Sequence, residues 1–198
     1  ARNARETGRG ILATGHTESA RGAVRRMEQC GVDRHLLAEA ALITGLRGQR
    51  LVPLLCEHCR VPWQVKAPGL DPDTRARLER YCTVEGLCDV SKLFFRNHEG
   101  CPHCQKTVPL TGRIISRGVT GRTAVAEVVR TDARQMQLWL SHGPAVARQY
   151  WVNNGGITRR MHLMRYLAEG RVDPLEGDLI CPLDEDEVMH CEVPDVIR

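Results

Sequence analysis

Two short runs carry the residues best suited to chemistry, Cys56-Glu57-His58-Cys59 and Cys101-Pro102-His103-Cys104. Two residues between cysteines let both thiolates of a tight turn face one ion. Two such turns facing each other supply a tetrahedral four-sulfur zinc site. A site closed by Cys56, Cys59, Cys101 and Cys104 leaves no coordination position for a substrate, so its expected role is folding rather than catalysis. The same residues also admit two disulfides or a redox dithiol. The redox reading needs a thioredoxin-like strand–helix pattern, which this sequence does not show. His58 and His103 lie inside the turns and are expected beside the sulfurs or exposed, not as ligands. The pairs are separated by residues 60–100, a longer gap than in compact zinc ribbons. Cys82 and Cys88 within that gap are alternative ligands, although metal pairs usually keep about two to four residues between them.

A second candidate group is Gly15-His16-Thr17-Glu18-Ser19. Residues 9–14 read as a short buried strand, and α/β sheets place ligand sites where such a strand ends. An imidazole titrates near neutrality and can donate to a phosphate oxygen, and Thr17 would add a hydroxyl. The residue types alone leave a purely structural His16 open. Arg50, beside Gln49, is either a solvated strand-edge residue or a group near a phosphate or a subunit seam, since guanidinium groups bind phosphate well.

The bulk properties narrow the function classes. The 198 residues suffice for one ordinary domain or two small ones, and the chain starts at Ala1, so it is expected to be a piece of something longer. No apolar run approaches a membrane span, and no signal peptide is evident. Nine cysteines, an odd number, with metal spacing fit a reducing cytoplasm better than secretion. Of 28 basic residues only Lys66, Lys92 and Lys106 are lysine, which favours planar contacts to carboxylate or phosphate. The net charge of +4 is too modest, and too interspersed with acids, to indicate nucleic-acid binding by itself.

The elements that must position these residues follow from capping and periodicity. Ser19 or Thr17 can cap a helix with Ala20, Ala23, Val24, Met27 and Cys30 on one face, ended by Gly31. Asp33 caps a second helix carrying Leu36, Leu37, Ala40, Ala41 and Ile43. Residues 49–52 read as a strand stopped by Pro53. Asp71-Pro72 opens a short helix to about Tyr81. Phe94 and Phe95 are expected to pack under the metal site. Residues 111–117 and 121–130 look like a hairpin, with Gly121-Arg122-Thr123 as a structural turn and Arg122 in a salt bridge. Asp132, Pro144 and Thr158 open three helices, ended by Gly143, Gly155-Gly156 and Gly170. The acidic run 184–187 reads as a solvated tail. Helix patterns on both sides of short strands indicate an α/β class.

Taken in order, these segments resemble the C-terminal part of the hexameric ATPases that drive type II secretion and type IV pilus assembly, in their zinc-containing subgroup. Thr7 to Thr17 is similar to the family's histidine box, a strand ending in His-Thr. Ala23-Val24-Arg25-Arg26-Met27 with Gly31-Val32 is similar to the helix and turn that follow. Gln49-Arg50-Leu51 and the first cysteine pair resemble the run into the zinc module. The second pair, followed by Gly121 to Val128, resembles the exit strand, and Met161, Gly170 and Glu176 lie in helices like those of the C-terminal domain. Departures are Glu18-Ser19 in place of a more usual Asn-containing pair, Gly15 before the histidine, and the long loop between cysteine pairs.

The resemblance implies the distal portion of a RecA-like P-loop ATPase domain (1–53), a four-cysteine zinc module (54–112), and a hairpin strand with a helical C-terminal domain (113–198). It implies His16 beside the γ-phosphate, and by their own chemistry Thr17 and Arg50 are the further candidates for nucleotide contacts. It also implies structural Zn2+, ATP and Mg2+ in the whole protein, a homo-hexamer, and an inner-membrane platform protein as partner. The location implied is cytoplasmic and peripheral to the inner membrane, without insertion and without nucleic acid. No Gly-x-x-x-x-Gly-Lys-Ser/Thr loop and no apolar strand ending in paired acids occur in the sequence. The 198 residues alone are therefore expected not to hydrolyse ATP. The competing reading is a zinc-ribbon nucleic-acid-binding module, which the arginine content favours. Aromatics make up only 4% of the chain and do not interleave with basic residues around the cysteine pairs, as base stacking would require.

Overall fold

The computed structural model describes residues 10–17, 19–39, 42–84 and 87–190. In chain order the elements are α1 (Ala20–Gln29), α2 (Arg34–Leu37), β1 (Gly45–Leu55), β2 (Val61–Pro62), α3 (Trp63–Lys66), α4 (Pro72–Tyr81), β3 (Phe94–Phe95), β4 (Lys106–Thr107), β5 (Ile114–Ser116), β6 (Val119–Arg130), α5 (Ala133–His142), α6 (Pro144–Asn153), α7 (Arg159–Ala168), α8 (Pro174–Ile180) and α9 (Glu185–Val188). The strands form three two-stranded sheets, β1 with β6, β2 with β3 and β4 with β5. The class is mixed α and β. The chain divides into two compact units, Ala1–Gln49 with Ala126–Thr158 and Glu187–Arg198, and Arg50–Val125 with Arg159–Asp186.

In the first unit, local signals place the helices. The Ser19 hydroxyl accepts from the Gly22 N–H and caps α1, and Gly31 ends that helix at φ 85°. Asp33 caps α2 through the Leu36 N–H, and Asp132 caps α5 through the Gln135 N–H. Gly143, at φ 89°, turns α5 into α6, and Pro144 fills the first position of α6, where no donor is needed. Val24, Leu37, Met136, Leu138, Trp139 and Ala147 form the core. Glu127 on β6 is only 5% exposed, and its carboxylate accepts from the Ala20 N–H at 2.6 Å. It thus satisfies an orphan donor at the positive end of α1.

The second unit has the larger core. Trp63, Leu78, Leu93 and Phe95, from between the cysteine pairs, pack with Leu163 and Leu167 of α7. The segment between the pairs is therefore part of one core with the C-terminal helices, not a loop extended from the metal anchor. Asp71 caps α4 as its sequence predicts. Phe95 pairs with Val61 and stacks on Trp63 with centroids 6.1 Å apart, so it belongs to this core rather than lying under the sulfurs. Cys82 and Cys88 are buried in the same core, and burial pushes their thiols up to about 12 and about 11. They are packing residues and stand outside the cluster formed by the four other cysteines.

Five further expectations change. Residues 10–14 form no strand, and Ile11 and Leu12 are 55% and 104% exposed. No neighbouring strand among the described residues supplies the ladder hydrogen bonds that a buried strand needs. The Asp33-capped helix stops at Leu37, and Ala40 and Ala41 lie outside the described residues. β1 runs through Pro53 to Leu55, which a two-stranded sheet permits because a proline without an N–H can face an unpaired edge. The expected hairpin does not form, because β5 pairs with β4 while β6 pairs with β1. Gly121-Arg122-Thr123 lies inside β6, and Arg122 makes no ion pair among the described residues.

The fifth change concerns the acidic run. Asp184 meets Arg77 at 3.2 Å, Glu185 is buried against Arg159, and Asp186 lies 3.9 Å from Arg160. Arg77 also grips Asp178 through two bonds of 2.9 Å, and hydrogen bonding to Arg77 holds the Asp184 carboxyl below the usual carboxylate range. Complementary arginines from elsewhere in the unit, invisible to local charge counting, turn a tail-like run into a set of clamps.

Candidate metal centre

The first cysteine pair sits in the turn that follows β1, and the second in the turn before β4. Each turn is closed locally by backbone bonds, Arg60 N–H to Cys56 C=O and Gln105 N–H to Cys101 C=O, both 3.0 Å. These bonds aim both thiols of a pair to the same side. The four sulfurs of Cys56, Cys59, Cys101 and Cys104 all lie within 4.8 Å of one another. Sulfur–sulfur distances are 3.7 Å for Cys56–Cys101, 3.8 Å for Cys59–Cys104 and 3.8 Å for Cys101–Cys104. A tetrahedron with metal–sulfur bonds of about 2.3 Å has edges of about 3.8 Å, so the spacing suits a zinc-sized ion. It is far longer than a sulfur–sulfur bond of about 2.05 Å, and the described cysteines are free thiols.

The surroundings favour thiolate unequally. Desolvation pushes Cys56 and Cys59 up. At Cys104 desolvation also pushes up, but the Cys101 and Gly118 N–H groups donate to its sulfur at 3.2 and 3.1 Å and bring it down to about 7. An ion held here would need all four sulfurs deprotonated, so binding releases protons. His58 and His103 are exposed, and their rings stack with centroids 4.0 Å apart and planes at 22°. The two turns therefore touch through their non-cysteine residues as well.

Contacts around the cluster tie it to the C-terminal helices of its unit. The Leu55 N–H donates to Arg171 C=O at 2.8 Å, just ahead of Cys56. Arg60, which follows Cys59, places its guanidinium 4.2 Å over the Phe94 ring and donates to the Gly170 carbonyl. Gly170 is left-handed at φ 64°, and a Cβ there would meet both Phe94 and Arg60. Two features had no local sequence signal: Gly118, which reaches both cysteine turns, and the arginine–acid clamps. A lone glycine and interspersed charges look alike wherever they fall.

The other candidate residues lie elsewhere. His16 is exposed and makes no hydrogen bond or ion pair among the described residues. The Thr17 hydroxyl donates to the Ser19 carbonyl at 3.0 Å. Arg50 is half-buried on β1.

Comparison with known proteins gives a consistent set of similarities. A model of the type II/IV secretion system protein family matches residues 1–174. The chain is 29% identical over 132 residues to a type II secretion system protein E of Pseudomonas aeruginosa, covering 67% of this chain and 22% of that protein. It is 35% identical over 128 residues to the type IV pilus assembly ATPase PilB of Thermus thermophilus, covering 64% of this chain and 12% of that protein. Over 55 residues it is 51% identical to the type II secretion system protein HxcR of Pseudomonas aeruginosa, covering 28% of this chain and 11% of that protein. The chain thus spans about a fifth or less of the length of these relatives.

Proposed function

The chain belongs to the type II/IV secretion system protein family, and on that premise we propose that it is the distal part of an ATPase that powers type IV pilus assembly or type II secretion by coupling ATP hydrolysis to domain motion. The observation that carries this is the family match over residues 1–174, joined by relatives named as a secretion protein E and a pilus assembly ATPase. It favours this reading over a zinc-ribbon nucleic-acid module. Residues 1–53 would be the end of a RecA-like domain, 54–112 a zinc module, and 113–198 an exit strand with helices. Cys56, Cys59, Cys101 and Cys104 would hold one Zn2+ whose chemistry is structural: it binds four thiolates and fixes the two turns.

His16 would stand beside the γ-phosphate, with Thr17 and Arg50 as further nucleotide contacts. Support comes from its place within residues 1–174, which the family model matches. A clamped unit of Arg50–Val125 with Arg159–Asp186 would carry nucleotide-driven motion to an inner-membrane platform protein from the cytoplasmic side, within a homo-hexamer. No helix among the described residues is long and apolar enough to cross a membrane.

Two measurements test this. Residues 1–198 with magnesium and ATP should show no turnover, since phosphoryl transfer needs a phosphate-cradling loop and a magnesium site that the sequence lacks. Turnover that survives further purification and vanishes in His16→Ala would contradict that. In the full-length ATPase, His16→Ala should lower turnover by about 10²–10³-fold, as for loss of a positioned donor to developing charge, with zinc content unchanged. Unchanged turnover at saturating ATP would return His16 to a structural role.

A further inference from the structure

We propose that Arg96 is a positioning residue for the metal: it fixes the peptide that leads into Gly118, the residue that touches both cysteine turns, and so makes metal retention depend on the docking of α8. This rests on the four-thiolate zinc reading above. The peptide is Arg117–Gly118. Its carbonyl accepts from Arg96 Nε at 2.9 Å, and its N–H donates to Cys104 Sγ at 3.1 Å. One residue on, the Gly118 carbonyl accepts from the Cys56 N–H at 3.0 Å. A single glycine thus touches the first cysteine of one turn and the last cysteine of the other.

Gly118 is left-handed at φ 70°, and a Cβ there would collide with the Asn97 carbonyl and with Arg96 Cγ, so residues 96–97 pack directly on this peptide. Arg96 is held in turn by α8. Its N–H donates to Asp173 at 2.7 Å, and its Nη1 donates to Glu176 Oε1 at 2.8 Å. Asp173 is also the cap of α8, accepting from the Leu175 and Glu176 N–H groups. Among the described residues, Glu176 Oε2 is buried with no hydrogen-bond partner, and Arg96 is the countercharge that hydrogen-bonds the carboxylate.

The chemistry follows from the order of the groups. Four thiolates around a dication leave a net negative charge, which N–H···S bonds disperse. A guanidinium donating to a peptide carbonyl polarises that peptide and strengthens its N–H as a donor. Groups that orient and polarise metal ligands typically change metal affinity by about 10–100-fold when removed.

The test uses the 198-residue chain loaded with zinc, and in parallel with cobalt(II), at a temperature where each protein is folded by circular dichroism. Zinc transfer to a chromophoric chelator should be about 10–100-fold faster in Arg96→Gln than in the parent. Arg96→Lys should fall between, because an ammonium lacks the fork that spans the carbonyl and the carboxylate. Glu176→Gln, which keeps the side-chain shape, should release zinc faster too and carries the test if Arg96→Gln does not fold. The cobalt–thiolate absorption should shift in both variants, a change that mere loss of fold stability would not produce. Glu79→Gln, in an exposed pair of the same unit, should match the parent. Parent-like release and an unchanged cobalt spectrum in folded Arg96→Gln and Glu176→Gln would overturn the proposal while leaving the zinc site standing. A reduced parent protein that retains no zinc would overturn both.

Discussion

Replacing Cys101 with serine is expected to remove bound zinc and to unfold the unit made of Arg50–Val125 and Arg159–Asp186. Structural zinc in small domains contributes about 10–16 kcal/mol of apparent binding free energy, whereas whole domains are stable by only about 5–15 kcal/mol. Losing one ligand of four therefore removes more than the unit can spare. The effect should not stop at the turns. The Leu55–Arg171 backbone bond and the Arg60 contact to Gly170 connect the cluster to the turn between α7 and α8, and the Cys56–Gly118 bond connects it to the residue before β6. Hydrogen exchange should show lost protection across both segments of this unit, while α5 and α6 keep theirs. A chelator applied to the parent protein should reproduce the pattern. Unchanged zinc content and unchanged melting in Cys101→Ser would exclude the four-sulfur assignment.

Truncating Glu185 to alanine should cost about 3–5 kcal/mol, the loss typical when one partner of a buried ion pair is removed. Arg159 and Glu185 side chains are only 7% and 6% exposed. Without Glu185 the guanidinium loses a buried countercharge, and the Cys181 thiol loses a partner at 3.4 Å. The exposed Arg75–Glu79 pair, at 52% and 45%, gives the contrast, and Glu79→Ala should cost less than about 1 kcal/mol. Urea unfolding of the zinc-loaded protein measures both. Equal costs for Glu185→Ala and Glu79→Ala would mean that the acidic run is a surface feature after all.

Helix starts and stops set by neighbours in sequence were the most legible part. Ser19, Asp33, Asp71 and Asp132 cap their helices because a short polar side chain needs only the N–H two or three residues on. Gly31 and Gly143 end helices for an equally local reason. The cysteine pairs were legible because ligand geometry fixes the spacing within each pair, and the pairing of the two turns then follows from the number of ligands an ion requires. Long-range choices were not legible. β6 pairs with β1, far earlier in the chain, instead of with β5 beside it, and nothing in its own residues says so. Asp184, Glu185 and Asp186 look like a solvated tail until Arg77, Arg159 and Arg160 are brought to them. Gly118 and Arg96 had no motif, since their importance comes from the peptide they share.

The most direct test of a metal-organised distal unit is X-ray absorption at the zinc edge on the native protein, with metal content measured on the same sample. The expected result is one zinc per chain with four sulfur neighbours at about 2.3 Å and no nitrogen or oxygen shell. Protein without zinc, or a mixed shell that brings in His58 or His103, would contradict it.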